Sequence, residues 1–312
     1  MLNKSKIHQK LRIAKENKRD EFYTQFIDIE RELQHYKNHF KDKIIFCNCD
    51  DPRVSNFFSY FKSNFENLGL KKLISSGYKN KENGIFIEYD NLVLGEINKF
   101  REDGDFRSVE SINFLKESDI VVTNPPFSLF REYIDQLISY DKKFLIIANI
   151  NSITYKEIFN LIKGNKVWLG VNMGRGISGF IVPEYYDLYG TEVFTDTHNN
   201  KIVSTNNCLW LTNLETPNRN KDIVLTKRYY GNENEYPKYD NYNAINVNKT
   251  KDIPIDYDGF IGVPITFLHK FNPEQFELVK FRKGDDDKDL SINGKYTYFR
   301  IIVRNKKVMI NE

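Results

Sequence analysis

Between residues 43 and 171, short apolar runs bounded by Asp, Asn, Pro or Gly alternate with stretches whose apolar residues recur at helical spacing. Lys43–Cys49, Leu70–Ser75, Asp119–Thr123, Phe144–Asn149 and Lys166–Val171 read as strands. Residues 55–68, the stretch that ends at 113–117, 127–139 and 154–163 read as helices, with Gly69 closing the first. Two parallel strands can be joined only by a long crossover, and a helix supplies it. This alternation therefore predicts an α/β fold around a mostly parallel sheet. Residues 84–97 read as a hairpin, and Gly179–Val182 and Asn207–Leu211 as further strands. Upstream, Leu11, Ala14, Phe22, Phe26, Ile29 and Leu33 predict helix over 4–42. No internal repeat is present.

A chain of 312 residues holds one large domain or two ordinary ones, and 40% hydrophobic content excludes a wholly disordered one. The best apolar run, Phe144–Ile150, is too short to span a bilayer, and the polar, basic start lacks a signal core. Three cysteines, Cys47, Cys49 and Cys208, make no disulfide framework and fit a reducing cytoplasm. Cys47 and Cys49 have no second ligand pair at zinc spacing, and the five His are scattered, so no metal site is expected. No Gly-rich phosphate loop ending in Gly-Lys-Ser or Gly-Lys-Thr occurs.

The net charge of +3 is unevenly spread. Residues 1–20 carry seven Lys/Arg against Glu16 and Asp20, and residues 290–311 carry Lys295, Arg300, Arg304, Lys306 and Lys307 with no acid. Basic ends around an acidic middle fit a polyanion partner or simply solvated termini. Residues 229–252 hold five Tyr between 229 and 242 among many Asn, suited to base edges and phosphates or to a polar loop. Asp285–Asp289 reads as a solvated loop.

The sharpest chemical signal is Asn124-Pro125-Pro126-Phe127, directly after the strand Asp119–Thr123. Ligands of open α/β sheets bind outside the carboxyl ends of strands. Two prolines fix φ twice and remove two donors, which holds the Asn124 side chain and the Pro125 carbonyl as a rigid pair of acceptors. Such a pair suits a planar exocyclic NH₂, which has two N–H donors and a lone pair delocalised into its ring. Accepting those N–H groups favours rehybridisation and stabilises the positive charge that grows on nitrogen as it attacks a methyl group. Phe127 would stack on the ring and align it. The alternative is a Pro-rich turn with Phe127 in the core.

The string Asp119-Ile-Val-Val-Thr-Asn-Pro-Pro-Phe-Ser-Leu-Phe-Arg-Glu-Tyr133 resembles the EcoRI-type family of adenine-specific DNA methyltransferases. So do Asp20-Glu-Phe-Tyr-Thr-Gln25, Phe46-Cys-Asn-Cys-Asp-Asp-Pro-Arg53, Gly104-Asp-Phe-Arg107, Lys166-Val-Trp-Leu-Gly170 and Gly262-Val-Pro-Ile-Thr-Phe267, in order along almost the whole chain. The resemblance implies transfer of a methyl group from S-adenosylmethionine to N6 of a flipped-out adenine in double-stranded DNA. It implies a Rossmann-like seven-stranded methyltransferase sheet with helices on both faces. Residues 1–43 would form a helical arm that closes on the cofactor, 44–213 the catalytic domain and 214–312 a target-recognition region.

Residue by residue, Asn124, Pro125 and Phe127 match the catalytic positions, and Phe22, Tyr23 and Thr24 the motif that closes over the cofactor's methionine end. Asn48 and Asp50 lie in the cofactor loop after the first strand, where Asp-Asp-Pro-Arg replaces the usual Gly-x-Gly turn. Asp105 and Phe106 match the position that binds the cofactor adenine, and no acid in 74–79 stands where the ribose partner is expected. A cognate restriction endonuclease is an implied partner; no membrane partner is. Three other readings stay open: an RNA guanine-N2 methyltransferase, whose motif usually continues with His where this chain has Ser128; a protein glutamine methyltransferase, whose motif ends in Tyr; and an inactive DNA-binding module.

Overall fold

The computed structural model describes residues 22–90, 93–172, 177–182, 193–197, 199–204, 207–217 and 219–309. The architecture is mixed α/β, in two compact units. One runs to Ile153 and resumes at Leu169–Leu214; the other comprises Thr154–Trp168 and the chain from Glu215 on.

A nine-stranded sheet runs in the order Val93–Leu94, Ile85–Asp90, Lys72–Gly77, Ile44–Cys47, Ile120–Thr123, Lys143–Asn149, Cys208–Thr212, Trp168–Leu169, with Asn98–Lys99 also on Ile85–Asp90. Ile44–Cys47 lies parallel to both Lys72–Gly77 and Ile120–Thr123, and Ile120–Thr123 is parallel to Lys143–Asn149. Ile85–Asp90 runs antiparallel to Lys72–Gly77, and Cys208–Thr212 antiparallel to Lys143–Asn149. Every residue of Ile44–Cys47 and Ile120–Thr123 is buried, as continuous apolar strands covered on both faces should be. Alternation along the first strand explains the two layers. Ile45 and Cys47 join a cluster with Phe57, Phe61 and Trp210, while Phe46 meets Phe114 of helix Val109–Glu117 at 5.9 Å. Between Ile44–Cys47 and Ile120–Thr123 the direction in which the chain adds strands reverses. Such a reversal point, outside the carboxyl ends of the strands, is where open α/β sheets form their ligand crevice.

Three expectations change. Residues 22–42 are not one continuous helix: Tyr23–Thr24 is a strand, followed by helices Phe26–Leu33 and Lys37–Phe40, and the arm before Phe22 lies outside the described residues. The strand forms because Tyr23–Thr24 pairs antiparallel with Phe180–Val182, a partner remote in sequence, in a four-stranded sheet with Lys201–Val203 and Val193–Thr195. The strand read over Lys166–Val171 is only Trp168–Leu169. Helix 55–68 is two pieces, Asn56–Ser63 and Phe65–Leu68, the first capped by the Ser55 hydroxyl accepting from Phe58 N–H.

The second unit has its own four-stranded sheet, Ala244–Asn246, Phe260–Pro264, Arg300–Asn305 and Phe276–Phe281. Within the Tyr/Asn-rich stretch, Tyr229, Tyr236 and Tyr239 are buried, whereas Tyr230 is 58% exposed. Part of that stretch is therefore core rather than polar loop. Asp285 is exposed, but Asp289 accepts a two-pronged bond from Arg282, so the acidic run is only partly solvated. Two of the five cations between 290 and 311 are paired, Arg304 with Glu277 and Lys307 with Asp222, each at 2.7 Å. No carboxylate pairs with Lys295 among the described residues.

Gly170 marks the tightest approach in the first unit. Its N–H donates to Trp210 O at 2.8 Å, and a Cβ there would lie 2.5 Å from Trp210 Cβ and against the Glu32 carboxylate. Gly170→Ala is expected to cost about 1–3 kcal/mol by overpacking. Thermal or urea unfolding measures it, and an unchanged midpoint would contradict the packing described.

Candidate active site

The crevice is built on one buried carboxylate. Asp50 follows strand Ile44–Cys47 and is 7% exposed. Its Oδ1 accepts from Ser55 Oγ at 3.0 Å, its Oδ2 from Thr123 Oγ1, and it also accepts the Asn124 N–H. Its own N–H donates to Ser76 O at 2.8 Å, and its carbonyl accepts from Ser75 Oγ at 2.6 Å. One residue thus ties together the carboxyl ends of Ile44–Cys47, Lys72–Gly77 and Ile120–Thr123. Burial pushes the Asp50 carboxyl up from 3.8 to about 7, against the pull of the Thr123, Ser55 and Asn124 donors. Next to it, burial raises the Asp51 carboxyl, but the bonds from Arg53 and Lys79 outweigh this and hold it below its usual range. Asp51 packs directly on Gly77, where a Cβ would lie 2.8 Å from Asp51 Cα.

Asn124 stands at the mouth of this arrangement. Its Nδ2 donates to Phe22 O at 2.7 Å, which fixes the amide plane. Its Oδ1 is then left buried with no hydrogen-bond partner among the described residues. A buried acceptor without a donor costs roughly 1–3 kcal/mol, so its retention is informative. Pro125 is buried beside it. Phe127, partly buried, forms a ring cluster with Phe22 at 6.5 Å and Phe180 at 6.1 Å, and Phe22 and Phe180 touch at 5.9 Å. Thr24 follows, its carbonyl accepting from Asn56 Nδ2 at 2.8 Å and its Oγ1 buried without a partner among the described residues. Tyr23 pairs with Ile181 in the small sheet.

The other side of the crevice carries Asn48, Phe106 and Asp105. Asn48 is buried and its Oδ1 accepts from Tyr133 OH. The Tyr133 ring packs edge-on against Phe106 at 5.1 Å, and Gln136 Nε2 donates to Phe106 O at 3.1 Å. Gln136 Oε1 is buried and unpartnered among the described residues. Asp105 is gripped by Arg107, whose Nε and NH2 donate at 2.9 and 2.8 Å, and Arg107 also reaches Glu132 at 2.6 Å. The Asp105 carboxylate raises the Arg107 guanidinium, with Glu132 adding to it. Cys49 sits among Asp50, Asp105, Tyr133 and Thr123, and burial pushes its thiol well up. Among the described residues no group of three or more His, Cys, Asp or Glu could hold a metal ion.

Direct bonds and ring contacts thus join Phe22, Asp50, Asn124 and Phe127, while Asn48 and Phe106 meet through Tyr133. Tyr23 and Thr24 continue from Phe22, and Asp105 precedes Phe106. Sequence reasoning missed Phe180, Thr123, Ser55, Tyr133 and Gln136. Thr123 and Tyr133 lie inside the Asp119–Tyr133 string, and the other three outside every motif; none has a spacing that points to the crevice.

A mixed sheet whose central parallel strands reverse their order, and an NPPF loop presenting an amide oxygen unpartnered among the described residues beside a ring, fit an enzyme that acts on a planar amine. Residues 10–306 match the family described as "Adenine-specific methyltransferase EcoRI". The chain is 68% identical to Type II methyltransferase M.EcoRI of Escherichia coli, covering 95% of this chain and 96% of that protein. It is 39% identical to Type II methyltransferase M.MgeORF184P of Mycoplasma genitalium and 36% to Type II methyltransferase M.MpnI of Mycoplasma pneumoniae, covering 95% of this chain and 98% of each relative. No solved structure matches. The chain belongs to the EcoRI adenine-specific methyltransferase family and is an adenine-specific DNA methyltransferase.

The raised Asp50 carboxyl has a stability consequence. Between its unfolded value of 3.8 and its folded value of about 7, the native state holds a proton that the unfolded chain has released. Asp50 therefore makes stability fall as pH rises across that window, with no further change above it. Asp50→Asn should remove this slope, so the melting point of the variant gains on wild type between about pH 5 and about pH 8. A variant that keeps a constant offset from wild type over the same range would show that Asp50 is ionised throughout.

Proposed function

We propose that the chain methylates N6 of an adenine flipped out of a short double-stranded DNA site, using S-adenosylmethionine, as the modification enzyme of a restriction–modification system in the cytoplasm. A cognate endonuclease acting on the same site is the expected partner. The observation that carries the reading is the buried Asn124 Oδ1, without a partner among the described residues, beside the Phe127 ring. The relatives' names as Type II methyltransferases support the restriction–modification role. We read the nine-stranded sheet as the Rossmann-like seven-stranded methyltransferase sheet. What supports this is its order once Val93–Leu94 and Asn98–Lys99, which pair with Ile85–Asp90 at one edge, are set aside.

In the reaction Asn124 Oδ1 and the Pro125 carbonyl accept the two N–H groups of the adenine amine. Their negative ends stabilise the positive charge that forms on N6 as its lone pair is used. Phe127 stacks on the base and sets its plane. Extracting the base from the duplex costs a few kcal/mol, roughly, which these contacts offset. Residues at the crevice suit S-adenosylmethionine: Thr24 Oγ1, Ser76 Oγ and Gln136 Oε1 are buried polar atoms without protein partners among the described residues. When bound, that cofactor supplies an electrophilic methyl group. Phe22, Tyr23 and Thr24 would close over it, Asn48 and the loop shaped by Asp50 would hold it, and Asp105 and Phe106 would bind its adenine. Residues 1–43 act as the arm, 44–213 as the catalytic domain and 214–312 as the target-recognition region.

Methyl-tritiated S-adenosylmethionine incubated with DNA, RNA and protein fractions tests the reading. Label should appear in DNA as N6-methyladenine; label in RNA alone would overturn it. Asn124→Ala should lower methyl transfer by about 10²-fold or more while cofactor binding is kept. Near wild-type transfer would remove Asn124 from its role. Lys/Arg→Ala changes within 4–19, or Lys295→Ala, should weaken DNA binding and flatten its salt dependence, by about one unit of slope for each phosphate that is no longer neutralised. An unchanged slope would leave those charges as solvated surface.

A further inference from the structure

Two fully buried carboxylates, Asp28 and Glu32, lie one turn apart on helix Phe26–Leu33, and neither has a part in the chemistry above. Glu32 accepts four bonds. Its Oε1 takes the Val171 N–H at 2.7 Å and the Tyr36 hydroxyl at 2.9 Å; its Oε2 takes the Asn172 N–H at 2.8 Å and Asn172 Nδ2 at 2.9 Å. Asp28 Oδ2 accepts both the N–H and the hydroxyl of Ser178 at 2.8 Å, and Arg31 stands 3.5 Å from its Oδ1. Gln25 Nε2 donates to Ser178 Oγ at 2.8 Å and to Gly179 O at 3.1 Å, and Thr24 then pairs with Phe180. The stretch 23–32 therefore grips described residues of 171–181 at successive points, Glu32 at one end and the strand pairing at the other.

The two gripped stretches end in rings that matter. Phe22 precedes the first and Phe180 lies in the second, and both touch Phe127. Burying two carboxylates on one helix face costs several kcal/mol, roughly, unless their lone pairs are filled, and an apolar side chain would pack there at no such cost. Burial raises both carboxyls, while the donors from Ser178, Val171 and Asn172 oppose it. The lone-pair count at Glu32 is exacting. Two of its four donors, one on each carboxylate oxygen, are the backbone N–H groups of Val171 and Asn172, which cannot reverse; the Tyr36 hydroxyl and the Asn172 amide can turn to accept. Gly170 crowds the same carboxylate, which leaves no room for a larger acceptor.

We propose that Glu32, assisted by Asp28, is a positioning residue for methyl transfer: it fastens 171–172 to the helix so that Phe22 and Phe180 hold Phe127 in register with the target base. The proposal rests on Phe127 stacking on the flipped adenine. It deepens that reading by naming what sets the ring's neighbours.

Glu32→Gln tests it, because the amide NH₂ must face at least one N–H that cannot turn away. Asn172→Ala is the milder partner, removing one side-chain donor and leaving the carboxylate and both backbone bonds. Each variant is compared with wild type well below its melting temperature, on a duplex with 2-aminopurine in place of the adenine that the wild-type chain methylates, and on the unmodified duplex. For Glu32→Gln, kcat should fall about tenfold or more. The KM for S-adenosylmethionine should change less than kcat, and the 2-aminopurine fluorescence should differ from wild type as the stacking ring loses its register. Asn172→Ala should show the same split at a few-fold size, so the test survives if Glu32→Gln does not fold. Unchanged kcat and fluorescence in a folded variant would overturn the proposal. No 2-aminopurine change on binding by the wild type itself would instead count against extrusion of the base, the reading on which the proposal rests.

Discussion

The hydrogen bond from Asn124 Nδ2 to Phe22 O, at 2.7 Å, decides which end of the amide is left to act. A planar amide has one donating and one accepting end, so engaging Nδ2 aims Oδ1 the other way. Oδ1 is then buried and unpaired among the described residues, an acceptor prepared for an incoming donor. The bond also ties the segment before helix Phe26–Leu33 to the loop that follows strand Ile120–Thr123. In the proposed reaction an amine with two N–H groups relieves the unsatisfied acceptor, and this preorganisation spares the cost of turning dipoles toward the growing charge.

Asp50 makes that geometry dependable. Its carboxylate accepts from Ser55, Thr123 and the Asn124 N–H at the place where the sheet's chain order reverses. A buried acid held near pH 7 weakens the fold at neutral pH. The compensation is local rigidity where three strand ends must keep register. Glu32 and Asp28 repeat the device on the arm, again exchanging burial cost for directed bonds that an apolar side chain would not make.

Much of the sheet could be read in advance because its strands are β-branched runs ended by Asp, Asn, Pro or Gly, and local chemistry sets such boundaries. The same holds for Asn124–Phe127, whose prolines and position after a strand are local facts. Tyr23–Thr24 was not legible as a strand. It is two residues long, and its partner Phe180–Val182 lies far along the chain, so helical periodicity on either side absorbed it. Phe180 was hidden for the same reason. No sequence signal singles out Glu32; only the fold brings Val171 and Asn172 onto it. Tyr229, Tyr236 and Tyr239 look polar by composition yet are buried, because a tyrosine ring packs as readily as a phenylalanine when its hydroxyl is accommodated. The cation-rich C-terminal stretch overstated its free charge, since the partners Glu277 and Asp222 lie outside it.

The central claim is that the Asn124 acceptor serves the amine of an adenine in duplex DNA. Single-molecule sequencing of genomic DNA from cells expressing the chain, set against cells without it, tests this most directly, because it reports the modified base and its context together. The expected result is N6-methyladenine at one short sequence, at nearly every occurrence, and at background level without the chain. DNA free of new N6-methyladenine, with methylation found only in RNA, would contradict it.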